Sequence, residues 1–559
     1  MLKILKKSKS LKLTLKKVQA NSIVFLFIFV FLNPSCKTGD GSTLVTQDSL
    51  KKRAQADWNN SIAGNFSEES TTVFDSLDIE KFTQQYPALA EYKEHISTFY
   101  RNRNMSYAWF KKNELIEQAG NLADRVMNLQ EEGINKGVPY YRALDSLMYN
   151  STNQPITVER KIQVELMLTA QYFAFAAIAL EGKDVSISKA TNWYLPRKKV
   201  SYEDYLDSLL IAKANDDGDL KIPVYRQYEL LRKYLIKYQK LEQSDTWFSI
   251  KANKTFRLGD SSITIKQVRK RLFDLGDFNG DTISKFYDIQ LENAVKQFQM
   301  RHGFQHDGLL GKTSFNELNI RFKTRVKQIL VNMERSRWLP VRLNNDYLVV
   351  NIPEFKLHVY SGDSLQWSCS VVVGKAIHKT VVFSGDLKYV VFRPYWNVPR
   401  SIVVNEILPD MRKNSNYIAR NNMEITGYLN GIPTIRQKPG PANSLGLVKF
   451  VFPNSYNIYL HDTPAKSLFG ETSRAFSHGC IRISEPGRLA NFLLRNHTDW
   501  NSEKINSAMS TGSEQYVTLQ DKIPVFIAYF TAFVDRKGKI NFRKDIYDRD
   551  DRLASMIME

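Results

Sequence analysis

Ser477-His478-Gly479-Cys480-Ile481-Arg482, preceded by His461-Asp462-Thr463-Pro464, is the stretch on which the reading of this chain turns. It sets two imidazoles and a thiol within twenty residues of one another, in a chain with three cysteines in all. A thiol needs a nearby base to become the thiolate, which is the reactive nucleophile. Gly479 lets the backbone approach a neighbour closely, or take a positive φ closed to other residues. Asn457-Ile458-Tyr459-Leu460 reads as a strand ending at His461. The nineteen residues from there to Cys480 are enough for the chain to return to the same sheet edge. Spacing alone leaves four readings open. One is a Cys480–His461 pair for nucleophilic catalysis. A second is a metal site of His461, His478 and Cys480, although no pair has C-x2-C or H-x3-H spacing. A third is a loop histidine beside a buried thiol, and a fourth is a redox thiol, which lacks a CxxC partner.

Around this stretch the pattern has a period of two. Tyr347–Ile352 and Lys356–Tyr360 read as a hairpin turning at Pro353-Glu354-Phe355, and Ser368–Val373, Tyr389–Arg393 and Lys449–Phe452 continue it. Pro524–Tyr529 reads as the strand that completes the sheet, with a charged tail after Asp545. Between Pro399 and Pro441 the pattern breaks: helical over Ile402–Met411, then polar, then rich in Pro and Gly. That segment (400–441) is expected to lie over the sheet as an inserted lid. Cys369, inside a strand pattern, reads as a buried structural thiol.

The preceding chain is helical. From about Asp75 to Lys240 apolar residues recur at helical spacing, as in Ile162–Ala177 and Tyr225–Tyr238, and no catalytic constellation stands out there. Between Phe256 and Leu318, Gly and Asp turns separate two short amphipathic helices and a third at the end. Phe322–Trp338 reads as a connecting helix stopped by Pro340.

Length suggests about three or four domains, and 43% hydrophobic with 24% charged residues is an ordinary globular composition. A formal net charge of +20 favours anionic surfaces. No Lys/Arg stripe interleaved with aromatics supports nucleic-acid binding. Seven lysines and no acid precede Cys36, and Ile23–Leu32 is an unbroken apolar run of ten. Such a run is too short to span a bilayer and fits a signal peptide. Cys36 is a candidate lipid-attachment site, although Asn33 stands where a lipobox has Leu. Residues 37–74 read as a polar tether.

Ala294-Val295-Lys296-Gln297-Phe298-Gln299 with Asp307-Gly308-Leu309-Leu310-Gly311-Lys312-Thr313 resembles the three-helix peptidoglycan-binding module. Several blocks resemble, in order, the large YkuD-type L,D-transpeptidases: Val371–Lys375, Arg393–Pro399, Arg436–Pro441, Asn443–Gly446, Tyr459–Pro464 and Arg474–Arg482. The resemblance implies a multidomain α+β fold. Its parts are an all-α scaffold domain (75–250), a three-helix peptidoglycan-binding module (251–320), a connecting helix (321–345) and a β-rich, β-sandwich-like catalytic domain (346–550). It implies Cys480 as nucleophile and His461 as base, with the ring oriented by the backbone carbonyl of Asp462. Backbone N–H groups at Gly479 and Cys480 would hold the oxyanion, with the Tyr459 hydroxyl. His478 is a loop-shaping or second imidazole. Arg482, Tyr459, Trp396, Ser477, Asn443, Arg436 and Gln437 are candidate substrate contacts. The implied partners are a donor tetrapeptide stem, an acceptor stem and the wall polymer, at the envelope of an exported protein that is a candidate for membrane anchoring. No metal, nucleotide, other cofactor or nucleic acid is required.

Overall fold

The computed structural model describes residues 73–558, apart from 112–113, 150–155, 212–224, 245, 340–344 and 363. The leader, Cys36 and the tether up to residue 72 lie outside them; the last two residues expected in the tether are structured, Val73 bridging Ser106 and Phe74 buried in the helical core. Three long helices organise the rest: α1 (Val158–Phe175), α2 (Gln227–Gln243) and α3 (Phe322–Trp338). α1 starts where the Thr157 hydroxyl accepts the Arg160 N–H at 3.3 Å, a side-chain N-cap. The stretch Val158–Ala190 is apolar and long enough to cross a membrane, but 78% of its apolar window is buried inside the protein, which makes it a core helix.

α3 joins the helical layer to the sheet through buried charges. Arg337 pairs with Glu334 at 2.8 Å and donates to the Ala179 carbonyl at 2.8 Å. Arg335 pairs with Asp550 at 2.7 Å. Asp550 opens a C-terminal helix, Asp550–Ile557, that packs its Leu553 into the sheet core. The charged tail expected after Asp545 is therefore part of the folded structure, and one of its acids, Asp550, is the counter-charge of a buried arginine.

The module is three helices, Ile263–Leu275, Ile289–Arg301 and Lys312–Leu318, around Ile265, Val268, Leu272, Val295 and Phe298. Its two sequence hallmarks are one device. Gln299 accepts the Gly308 N–H at 2.9 Å and donates to Asp307 at 3.0 Å, so the helix holds the turn.

The β-rich part contains β1 (Asp346–Asn351), β2 (Lys356–Ser361), β3 (Ser364–Gly374), β4 (Val382–Phe392), β5 (Trp396–Asn397) and β6 (Met423–Leu429). It continues with β7 (Ile432–Gln437), β8 (Val448–Val451), β9 (Leu460–His461), β10 (Ala475–Ser477), β11 (Ile481–Ile483) and β12 (Gln515–Ala528). The order is β8-β9-β11-β3-β2-β1-β12-β4, and β4 pairs back with β8. The mixed sheet thus closes on itself, and opposite walls pack across one core like the layers of a sandwich. β9 runs parallel to β11, and β12 runs parallel to β1. The helical layer also lends the sheet a short strand, Trp193–Tyr194, parallel to the start of β4.

The insertion is more ordered than its sequence suggests. Helical turns over 400–413 pack on a three-stranded sheet, β5-β7-β6, with a separate small core of Ile402, Val403, Ile407 and Ile435. Asn430-Gly431, both at positive φ, forms the β6–β7 hairpin turn, the residue pair such turns favour.

Asp550→Ala would strand Arg335, whose side chain is 2% exposed, and is expected to cost about 3–5 kcal/mol in denaturant unfolding. Asp551→Ala removes an exposed pairing with Lys327 and should stay within about 0.5 kcal/mol.

Candidate active site

Leu460 pairs with Ile481 and His461 with Arg482 across the parallel β9–β11 ladder. Leu460 and Ile481 are fully buried in the sheet core. Alternation along a strand then sends Tyr459, His461, Cys480 and Arg482 to the opposite face. On β8 the same rule buries Val448 and Phe450 in the core and sends Lys449 to the site face, opposite His461.

His461 is 4% exposed. Its Nδ1–H donates to the Asp462 carbonyl at 2.5 Å. That bond fixes the tautomer and puts the ring's lone pair on Nε2; the Leu445 carbonyl also faces the ring. Burial, then the charges of Arg482 and Lys449, hold its pKa down at about 3, so the ring is neutral. The Asp462 carboxylate turns away. It accepts the Leu447 N–H at 2.9 Å and pairs with Lys466. A Cβ on Gly446 (φ +64°) would meet Asp462 at 2.4 Å, so only glycine permits this approach. What Asp462 brings to the site is its main-chain carbonyl.

The Cys480 thiol donates to the carbonyl of Asn457 at 3.5 Å. No hydrogen bond joins it to His461 among the described residues. Asn457 sits at φ +55°, a conformation that asparagine tolerates. Burial pushes the thiol pKa up; the Tyr459 N–H and hydroxyl and the charges of Lys449 and Arg482 pull the other way. The thiol and imidazole are thus both uncharged at rest, on adjacent strands and one face. The Tyr459 and His461 rings meet edge to face at 5.7 Å. Cys369 and Cys480 are free thiols, and Cys369 faces the core.

Gly479 takes φ +117°, and an added Cβ would meet nothing closer than 3.9 Å, so backbone conformation rather than space demands glycine. Its N–H donates to Ser477 Oγ at 3.1 Å, and Ser477 Oγ donates to the Cys480 carbonyl at 2.6 Å. Ser477, 2% exposed, holds the loop and has no hydroxyl left for a substrate. The Gly479 N–H, one of the three expected oxyanion donors, is likewise committed; the Cys480 N–H and the Tyr459 hydroxyl are the other two. His478 Nε2 lies 2.7 Å from Glu406 Oε1 of the insertion, and its ring lies 5.0 Å from that of His378.

Four candidate contacts prove to be internal to the insertion and its hinge. Asn443 donates to the carbonyls of Pro394 and Lys438 and accepts the Leu445 N–H. Gln437 donates to Asn421 O and accepts the Ser444 N–H. Both are buried. Arg436 pairs with Glu424 at 2.6 Å and stacks on Tyr395. Trp396 packs against the small core of the insertion. Lys449, Asn457, Glu406 and His378 were missed from sequence. Lys449 stands in a recognised strand, but only the strand register shows which way it faces.

Among the described residues no three His, Cys, Asp or Glu side chains are arranged to hold a metal ion. His461 Nδ1 is committed to the Asp462 carbonyl and His478 Nε2 to Glu406.

Three family models match this chain. Residues 345–516 match the YkuD model, described as "L,D-transpeptidase catalytic domain". Residues 94–235 match a "Scaffold domain", and residues 262–318 a "Putative peptidoglycan binding domain". The site described above thus lies in a YkuD-type L,D-transpeptidase catalytic domain, preceded by a scaffold domain and a peptidoglycan-binding domain. A curated protein of Haemophilus influenzae named "Putative L,D-transpeptidase" is 31% identical over 248 residues, covering 41% of this chain and 50% of that protein. The chain therefore spans about half the length of the curated relative it matches. Two solved L,D-transpeptidases that this chain resembles are distant. That of Stackebrandtia nassauensis is 14% identical, covers 49% of this chain and 94% of its own, and has a TM-score of 0.21. That of Mycobacterium smegmatis is 13% identical, covers 34% and 59%, and has a TM-score of 0.19. Neither likeness bears on the site.

The depressed basicity of His461 has a stability consequence. The unfolded chain takes up a proton at an ordinary imidazole pKa that the folded chain refuses down to about 3. Stability is therefore complete above about pH 6.5 and falls as pH drops from there towards 3. Between about pH 8 and about pH 5, wild type should lose about 2 kcal/mol more than His461→Gln. Urea unfolding of both proteins at the two pH values measures the difference.

Proposed function

We propose that this protein is a cysteine-dependent L,D-transpeptidase that forms 3→3 cross-links in peptidoglycan. The Cys480 thiol rotates from the Asn457 carbonyl towards His461, whose Nε2 takes its proton; resting-state hydrogen bonds of this kind often form only with substrate bound. The thiolate attacks the carbonyl of the third stem residue of a donor tetrapeptide. The Tyr459 hydroxyl and Cys480 N–H receive the oxyanion. As the tetrahedral intermediate collapses, the bond to the terminal D-alanine nitrogen breaks and the imidazolium gives that nitrogen its proton. An acceptor-stem amine, deprotonated by His461, then attacks the thioester, and the Cys480 thiol is restored. Water in place of the amine gives L,D-carboxypeptidase activity.

The observation that carries this reading is the common face of β9 and β11. It sends a neutral imidazole with a fixed tautomer and the Cys480 thiol to the same side of the sheet, which supports this reading inside a domain of the L,D-transpeptidase type. The module ahead of it suits an enzyme that works on a wall polymer, and we assign the protein to the cell envelope. Export through the leader, with anchoring or acylation at Cys36, completes the proposal.

Wall material incubated with wild type should yield new 3→3 muropeptide dimers, detected by mass spectrometry, and Cys480→Ala should yield none. A thiol alkylator should abolish the reaction, and a chelator should not. Activity lost to the chelator alone would refute the thiol mechanism. Tyr459→Phe should lower kcat by about 10²-fold, as expected for one oxyanion donor, with little change in KM.

A further inference from the structure

β8, β9 and β11 lie side by side, and their register puts Lys449, His461 and Arg482 on a single rung. An imidazole therefore sits between two cations. The Lys449 ammonium lies 4.3 Å from the centre of the Tyr459 ring. No carboxylate pairs with Lys449 or Arg482 among the described residues, and Arg482 Nε is buried without a hydrogen-bond partner. The acid whose field reaches Lys449 is Glu514, and its carboxylate accepts the Tyr395 N–H at 2.8 Å. Withdrawing cations from water without counter-charge is costly. An anion entering between them recovers that cost.

We propose that Lys449 and Arg482 form an anion site beside Cys480 that receives the terminal carboxylate of the donor stem. The choice of ligand rests on the acyl-transfer reading above; the anion site itself does not. In a departing amino acid the carboxylate carbon lies about 2.5 Å from the nitrogen that leaves. A carboxylate held by the two cations thus brings the leaving nitrogen up to the His461 ring, which must protonate it. The same carboxylate offsets the two charges that suppress His461, so the base gains strength when a proper donor arrives. A stem that is amidated or extended at its end would gain neither effect. Lys449 is in this account a positioning and specificity residue.

The test uses the full-length protein and two alkylating agents, iodoacetate and iodoacetamide. They carry the same electrophilic carbon and differ in charge. Modification is followed by mass spectrometry on the peptide containing Cys480. The ratio of the iodoacetate rate to the iodoacetamide rate should exceed that of free cysteine by about tenfold or more, as attraction by two unpaired cations implies. Lys449→Met and Arg482→Gln should each cut the ratio severalfold, and Lys449→Arg, which keeps the charge, should preserve it. A wild-type ratio equal to that of free cysteine, or one unmoved by Lys449→Met, overturns the anion site. In a second arm, tetrapeptide donors with a free or an amidated terminus are compared. Wild type should favour the free acid by about 10²-fold in kcat/KM, and Lys449→Met should bring the two donors towards parity. A raised alkylation ratio with neither donor turned over upholds the anion site and refutes the transpeptidase reading instead.

Discussion

The pairing of two very short parallel strands, Leu460–His461 against Ile481–Arg482, is the constraint on which the site depends. Parallel neighbours cannot be joined by a tight turn and need a connection of a dozen residues or more. The nineteen residues 462–480 between β9 and β11 are that connection. They hold a short helical turn, Lys466–Gly470, and β10, which pairs with β3. Register is fixed by the opposite face. Leu460 and Ile481 are fully buried, each contributing about 1.5–3 kcal/mol, and a slip of one residue would turn them outward. The same slip would bury the charged Arg482 in an apolar core. Core packing therefore determines the positions of groups that belong to no core.

Electrostatics then sets the resting state. A carboxylate against His461 Nδ1 would raise the basicity of the ring. Here the Asp462 carboxylate is drawn off by Leu447 and Lys466, and a neutral carbonyl takes its place. The carbonyl orients the ring without making it a cation. Burial, Arg482 and Lys449 suppress the charge further, while burial keeps the thiol protonated. A thiolate–imidazolium pair at rest would be open to adventitious oxidation and alkylation. A neutral pair is shielded from both, and under the proposed function the donor stem would change the local field.

Much of this was legible in the sequence because it was local. The period-two pattern located β1, β2, β3 and the end of β12. The glycine at the loop, the two hallmarks of the module and the end of α3 at Trp338 also read correctly. What could not be read was set by distant partners. Arg335 and Asp550 are far apart in the chain, and nothing local marks either as buried. Ser477, Asn443 and Gln437 carry the side chains of substrate-binding residues, yet their polar atoms close loops. A polar side chain in a motif is ambiguous until its hydrogen bonds are counted. The β6–β7 hairpin is a different case: Asn430-Gly431 is a strong local turn signal, and the polar composition around it hid the strands. Lys449 needed the register of three strands, which no single segment contains.

The insertion stands apart from the barrel in its energetics. Its Ile402, Val403, Ile407 and Ile435 form their own cluster and share no buried apolar residue with the core of the closed sheet. Its link to the thiol loop is the His478–Glu406 pair, with side chains 35% and 51% exposed. An exposed pair of this kind is worth about 0–1 kcal/mol. Glu406 lies in a widened helical turn, Val403–Ile407, a feature that recurs at functional sites because it breaks the regular hydrogen-bond ladder. The barrel can therefore keep its strand register, and with it the Lys449–His461–Arg482 rung, whatever happens at the insertion. The strand register of the site and the packing of the insertion thus rest on two separate cores.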